Sequence, residues 1–276
     1  MAVLRIAISQ PVNSADPRSN GRVVRALMER AAAQEARLVQ FPEGMLSGYA
    51  KEQIASWDDV DWTVVADEVD QVAALAGELG IWVVLGCAHP LTPPNRPHNS
   101  LYVISDDGTI IDRYDKRLCS HTEITHYYSP GFRPIVFDVD GLRFGCAICI
   151  EVNFPDLFAE YELLGVDCVL LSAYPVDSIF AIKARSHAAI NNYWIGLSAP
   201  AQTRELFPSA LIGPDGEHVA RVRPDDDLIV ADIDPADPAF HVALDLARPW
   251  RRRAQSGEIY AERRVTDPRS IDRTSR

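Results

Sequence analysis

The chain has 276 residues, 47% of them apolar, and a formal net charge of −12, enough length to bury a core without disulfides or a structural metal. Its five cysteines are scattered and odd in number, which argues against a disulfide framework and for a reducing, cytoplasmic setting. No apolar run approaches the roughly 20 residues of a membrane span, and an acidic surface repels phosphate backbones, so neither membrane nor nucleic acid is an expected partner.

In chain order, "VLRIAIS" reads as a buried strand, and "NGRVVRALMERAAAQEA" carries apolar residues at helical spacing. "ARLVQFPEG" is a short strand stopped by Pro42 and Gly44. "DWTVVADEVDQVAALAGELG" is an amphipathic helix closed by Gly80, and "IWVVLGCA" is a continuous apolar strand. "SLYVISDDGTIIDRYDK" is a hairpin around Asp-Asp-Gly. The strand "GLRFGCAIC", the helix "PDLFAEYELLG", the strand "VDCVLLSA", the helix "SIFAIKARSHAAINN" and the strand "YWIGLSA" follow. "PSALIGPDGEHVARVR" is a second hairpin, and "DLIVADID" is the last strand. Strands alternate with helices except at the hairpins, so the expected class is α/β with mixed sheets inside and helix layers outside. Residues 1–247 read as one domain. Residues 248–276 read as an extension with nine Arg against Glu258, Glu262, Asp267 and Asp272. The acids are interspersed with the Arg, so the extension is expected to pair with acidic surface of its own domain or of a partner subunit.

"GCAICIEVNFPD" poses the chemical question. As a C-x-x-C motif it offers a thiol-redox pair, Cys146 and Cys149. In a strand, however, positions three apart point to opposite faces. Cys119, His121 and His126 could supply further metal ligands, but their spacing matches no standard zinc finger. Cys149 ends the strand, the place where α/β sheets put functional side chains. Glu43 sits among Phe41, Pro42, Met45 and Leu46, and burial there raises a carboxyl pKa toward the range of a general acid/base. Lys116 closes the second strand of the first hairpin.

Three motifs in order resemble the nitrilase superfamily of carbon–nitrogen hydrolases: "FPEGMLSGY" with Glu43, "YDKRL" with Lys116, and "GCAICIEVNFPD" with Cys149 and Glu151. The resemblance covers roughly residues 3 to 260. It implies an α-β-β-α sandwich, paired as a homodimer or higher homo-oligomer. It also implies a thiol amidohydrolase that cleaves the C–N bond of a small-molecule amide through an acyl-cysteine, with no metal or organic cofactor. In that reading Cys149 is the nucleophile, Glu43 the general base, and Lys116 an oxyanion donor together with the backbone N–H of Ile150. Glu123 in "TEITHYYSPG" is the candidate second glutamate.

Departures from the family pattern are Ile150 after the nucleophile, where nitrilases usually carry Trp-Glu, and Ile190, where a Glu is expected in the helix "ARSHAAINNYW". A nitrilase or an N-carbamoyl amide hydrolase stays open as an alternative, as does the redox pair. Val152 and Asn153 stand where an Arg gripping a substrate carboxylate is often found, which favours a small neutral amide. Trp194, Tyr127 and Tyr128 are candidates to line an apolar pocket.

Overall fold

The computed structural model describes residues 3–274. The first sheet contains β1 (Leu4–Ser9), β2 (Leu38–Gln40), β3 (Trp82–His89), β4 (His98–Ile104) and β5 (Ile110–Asp115) side by side. The second contains β6 (Val136–Val139), β7 (Leu142–Ile148), β8 (Cys168–Ser172), β9 (Trp194–Ser198), β10 (Ala210–Ile212) and β11 (His218–Arg221). The chain then returns to the first sheet, where β12 (Leu228–Ile233) lies antiparallel to β1. Both sheets follow one plan. An antiparallel edge strand precedes three parallel strands, β1–β2–β3 or β7–β8–β9, and an antiparallel pair completes the sheet. Helices α1 (Pro17–Ala32) and α2 (Trp62–Leu79) make the crossovers of the first sheet, and α3 (Pro155–Leu163) and α4 (Ile179–Asn191) those of the second.

Local sequence sets these elements. Asp16 caps α1 by accepting from the Arg18 N–H at 3.0 Å, with Pro17 at the first helical position. Val24, Leu27, Met28 and Ala31 then recur on one face and meet Ala7, Val39 and Val83 of the first sheet. Asp61 caps α2, and Gly80, at φ +62°, ends it in the left-handed conformation. Alternation along β1 sends Ala7 to the helices and Leu4, Ile6 and Ile8 to the other face. There they join Phe144, Cys146 and Ile148 of β7 in the core between the sheets. The architecture is therefore the four-layer α-β-β-α sandwich.

A buried polar seam joins the sheets. Ser198 Oγ donates to Ser9 O at 2.8 Å, Ser172 Oγ to Phe41 O at 2.7 Å, and Gln40 Nε2 to Gly196 O at 3.1 Å. A Cβ at Gly196 would stand 2.4 Å from Gln40 Oε1, so this approach requires glycine. Each such bond contributes about 1 kcal/mol net, and together they fix how the sheets register.

One feature differs from the sequence reading. A third hairpin joins β6 to β7 through Asp140 and Gly141, both at positive φ. The extension forms α5 (Arg248–Gln255), α6 (Glu258–Ala261) and α7 (Pro268–Ile271), and Arg248 and Arg252 pair within the chain with Asp167 at 3.1 Å and Glu162 at 3.0 Å.

Candidate functional site

Beyond β2 the chain runs Phe41-Pro42-Glu43-Gly44 across β3. Gly86 permits the crossing, because a Cβ there would lie 2.0 Å from Pro42 O. Gly44, at φ +63°, completes the turn. Glu43 is fully buried. Its Oε1 accepts from Lys116 Nζ at 2.8 Å and from Asn99 Nδ2 at 2.7 Å, and its Oε2 accepts from the Tyr174 N–H at 2.8 Å.

Lys116 follows β5, and its own N–H donates to Asn99 O at 2.8 Å. Its ammonium makes a second ion pair with Glu123 Oε1 at 2.7 Å. Glu123 opens a π-helical turn, Glu123–Tyr127. It also accepts from the Ser120 N–H at 2.7 Å and from the Tyr49 hydroxyl at 3.1 Å. An ammonium has three N–H donors, so the two carboxylates leave one free.

Cys149 closes β7 and begins the 3₁₀ turn Cys149–Asn153. Its φ is +49°, which costs a non-glycine residue on the order of 1 kcal/mol. Two buried side chains enforce this turn. Glu151 Oε2 accepts from the Ile148 N–H at 2.7 Å, and its Oε1 accepts from Arg117 N at 2.7 Å, Leu118 N at 3.1 Å and the Tyr114 hydroxyl at 2.9 Å. One carboxylate thus ties the nucleophile turn to the segment just after Lys116. From α4, His187 Nε2 bonds Val152 O at 2.9 Å, with its ring stacked on Phe158 at 3.9 Å. Cys149 Sγ lies 3.5 Å from Tyr174 O, just past β8.

Burial pushes the Cys149 thiol well up, the Glu43 charge adds to the effect, and Lys116 opposes it. Burial also raises Glu43, against the pull of Lys116. For Glu123, the ammonium and the Ser120 amide outweigh burial, and its carboxyl sits below the usual range. Burial alone would lower Lys116, but Glu43, Cys149 and Glu123 raise it well above the ordinary lysine value. The arrangement is a permanent cation between an ionised carboxylate and one of raised proton affinity, beside a neutral thiol.

Of the residues singled out from sequence, Glu43, Lys116 and Glu123 are in direct contact, and all three act electrostatically on Cys149. Ile150 N–H lies in the first turn of a 3₁₀ helix, where amides lack intrahelical partners. Cys119 packs half-buried against the aromatic cluster of Tyr49, Tyr128 and Tyr174, whereas His121 and His126 are exposed. Among the described residues no three His, Cys, Asp or Glu side chains are placed to hold a metal ion. Tyr127 and Tyr128 do border the site in that cluster. Trp194 does not. It starts β9, is buried, and meets Phe240 edge-on at 5.5 Å. Ile190, the departure in α4, is 59% exposed, and His187 takes over fastening that helix. The sequence reading missed Tyr49, Asn99 and Tyr174. Asn99 gave a signal as a polar residue in an otherwise apolar strand face, and Tyr49 closes the string "FPEGMLSGY".

A sandwich of two like-built sheets, with a Glu–Lys–Glu cluster and a strand-end cysteine at the seam, defines a class of cysteine hydrolases. The chain belongs to the carbon-nitrogen hydrolase family, which it matches over residues 5–239. It is 27% identical over 263 residues to a hydrolase of Mycobacterium tuberculosis, spanning 84% of this chain and 89% of that protein. It is 24% identical over 254 residues to omega-amidase NIT2 of Bos taurus, spanning 85% and 90%. Among solved structures, an amidase of the nitrilase superfamily from Nesterenkonia matches with a TM-score of 0.75 at 22% identity, over 90% of this chain and 97% of that one. One variant of that amidase carries the acetamide moiety of fluoroacetamide covalently added at its active-site cysteine.

Proposed function

We propose that the chain hydrolyses small neutral amides through an acyl-cysteine at Cys149. The observation that carries this reading is the buried ammonium of Lys116, 2.8 Å from Glu43 and 2.7 Å from Glu123, with one N–H to spare beside the thiol. Glu43 takes the Cys149 proton as sulfur bonds the amide carbon. The oxyanion is held by the third N–H of Lys116 and the N–H of Ile150. Glu43 returns the proton to nitrogen, the C–N bond breaks, and ammonia leaves. Glu43 then deprotonates a water that attacks the thioester, and collapse releases the acid and the thiol. Glu123 holds Lys116 and keeps one Oε2 lone pair for the amide N–H.

Tyr49, Tyr128 and Tyr174 present an uncharged wall at the site, which suits a neutral acyl group. A specific observation favours a second reading, an amide with a distal carboxylate. Lys183 of α4 bonds Asn153 Oδ1 at 2.5 Å and brings a cation near the nucleophile turn. The omega-amidases among the relatives point the same way. We also infer a cytoplasmic homodimer with residues 1–247 as its catalytic domain. Five unpaired thiols support the compartment. The exposed apolar residues Val176, Ile179 and Ile182 support a covered face.

The test is ammonia release from a matched panel: an aliphatic amide, its ω-carboxylated analogue, an N-carbamoyl amino acid and the corresponding nitrile. An acyl adduct on the Cys149 peptide by mass spectrometry and fastest turnover of the neutral amide are expected. Preference for the carboxylated member selects the second reading, and no adduct on Cys149 ends both.

A further inference from the structure

The two oxygens of Glu43 are held differently. Oε1 accepts from Lys116 Nζ at 2.8 Å and from Asn99 Nδ2 at 2.7 Å, and two donors occupy the lone pairs of a carboxylate oxygen. Oε2 accepts from the Tyr174 N–H at 2.8 Å and keeps one lone pair. The carbonyl of the same Tyr174 lies 3.5 Å from Cys149 Sγ. Tyr174, two residues past β8, thus tethers the half-free oxygen and touches the thiol.

Asn99 is an unusual occupant of its position. Alternation along β4 puts it on the face of Leu101 and Val103, which pack in the core between the sheets. It is only 2% exposed. Asparagine is a poor strand former, and an amide buried there without a partner would destabilise the fold. Its bond to Glu43 offsets that penalty.

We propose that Asn99 is a positioning residue for the base. With Lys116 it fills Oε1, so that Oε2, tethered to the residue whose carbonyl touches the thiol, is the oxygen that takes the Cys149 proton. This rests on the amidohydrolase reading above. Two consequences follow from the geometry. Without the Asn99 donor, Glu43 is free to turn Oε1 toward the thiol and loses its fixed approach. The carboxylate also loses a donor that favours its ionised form, so it stays protonated to higher pH.

The experiment follows alkylation of each cysteine peptide by iodoacetamide against pH in the full-length protein, its Asn99→Leu and Asn99→Asp variants, and Glu43→Gln. This readout needs no knowledge of the substrate. In the parent protein, Cys149 labelling falls on the acid side through a limb that Glu43→Gln abolishes. Asn99→Leu moves that limb up by about one pH unit, roughly tenfold slower labelling on the limb, and Asn99→Asp moves it further by placing a second carboxylate against Glu43. A limb at the parent position in both folded variants overturns the role of Asn99 and leaves the amidohydrolase reading standing. A parent protein whose Cys149 labelling has no Glu43-dependent limb overturns that reading instead. If circular dichroism shows that either variant does not fold, Asn99→Ala, which adds no bulk or charge, must show the same upward shift or the proposal fails.

Discussion

Replacing Lys116 with methionine keeps the unbranched stem as far as Cε and deletes the charged Nζ. The ammonium lies 2.8 Å from Glu43 and 2.7 Å from Glu123, and the three side chains are 0–1% exposed. Removing one partner of a buried ion pair costs about 3–5 kcal/mol, a large share of a total stability of about 5–15 kcal/mol. Two carboxylates then face each other without a cation, and Glu43, already raised by burial, takes up a proton. The sign follows. The folded variant binds more protons than the unfolded chain, so stability is fully present below the ordinary glutamate value. It falls as pH rises through the raised folded-state value, by up to about 1.4 kcal/mol per pH unit for one proton. Urea unfolding followed by fluorescence of the five tryptophans, repeated from acid to neutral pH, reads this slope against the parent protein. Ammonia release should fall about 10²- to 10³-fold with loss of the oxyanion donor. Parent-like stability with no added pH dependence would refute the reasoning, because the three groups would then ionise independently.

Cys149→Ala should abolish amide turnover, whereas Cys146→Ala, whose sulfur packs between the sheets, should keep turnover and cost about 1–2 kcal/mol in urea unfolding. Glu151→Gln replaces an acceptor ringed by N–H and O–H donors with a group that brings donors of its own. It should destabilise by about 2–3 kcal/mol and slow turnover by shifting Lys116, and unchanged kinetics would separate the turn from the chemistry. Truncation after Ala247 removes the partners of Asp167 and Glu162. It should lower the melting temperature by about 2–4 °C and shift sedimentation toward monomer while activity per folded molecule stays constant.

The helices and parallel strands were legible because their cues are local. Asp16 and Asp61 cap helices that Gly80 and apolar spacing then delimit. The β6–β7 hairpin was not read. Its first strand, β6, has only four residues, and only Asp140-Gly141 marked the turn. Glu43, Lys116 and Cys149 stood out through the strings around them. Asn99 and Tyr174 had no such string, and Tyr49 closes "FPEGMLSGY" without standing out in it, since the meaning of Asn99, Tyr49 and Tyr174 comes from partners 56, 74 and 131 residues away. Trp194 was misplaced for the converse reason. Its large ring is equally at home in a pocket or a core, and only the position of β9 decides.

The polar seam between the sheets has a consequence for how function is lost. Glu43 and Lys116 hang from the first sheet, and Cys149 and Tyr174 from the second, so the bond of Tyr174 to Glu43 spans the two halves. Neither sheet holds the whole constellation, however well its own strands are paired. Turnover is then a proximity gauge. On warming, it should vanish when the halves first part by an ångström or so, while the circular dichroism of strands and helices still looks native.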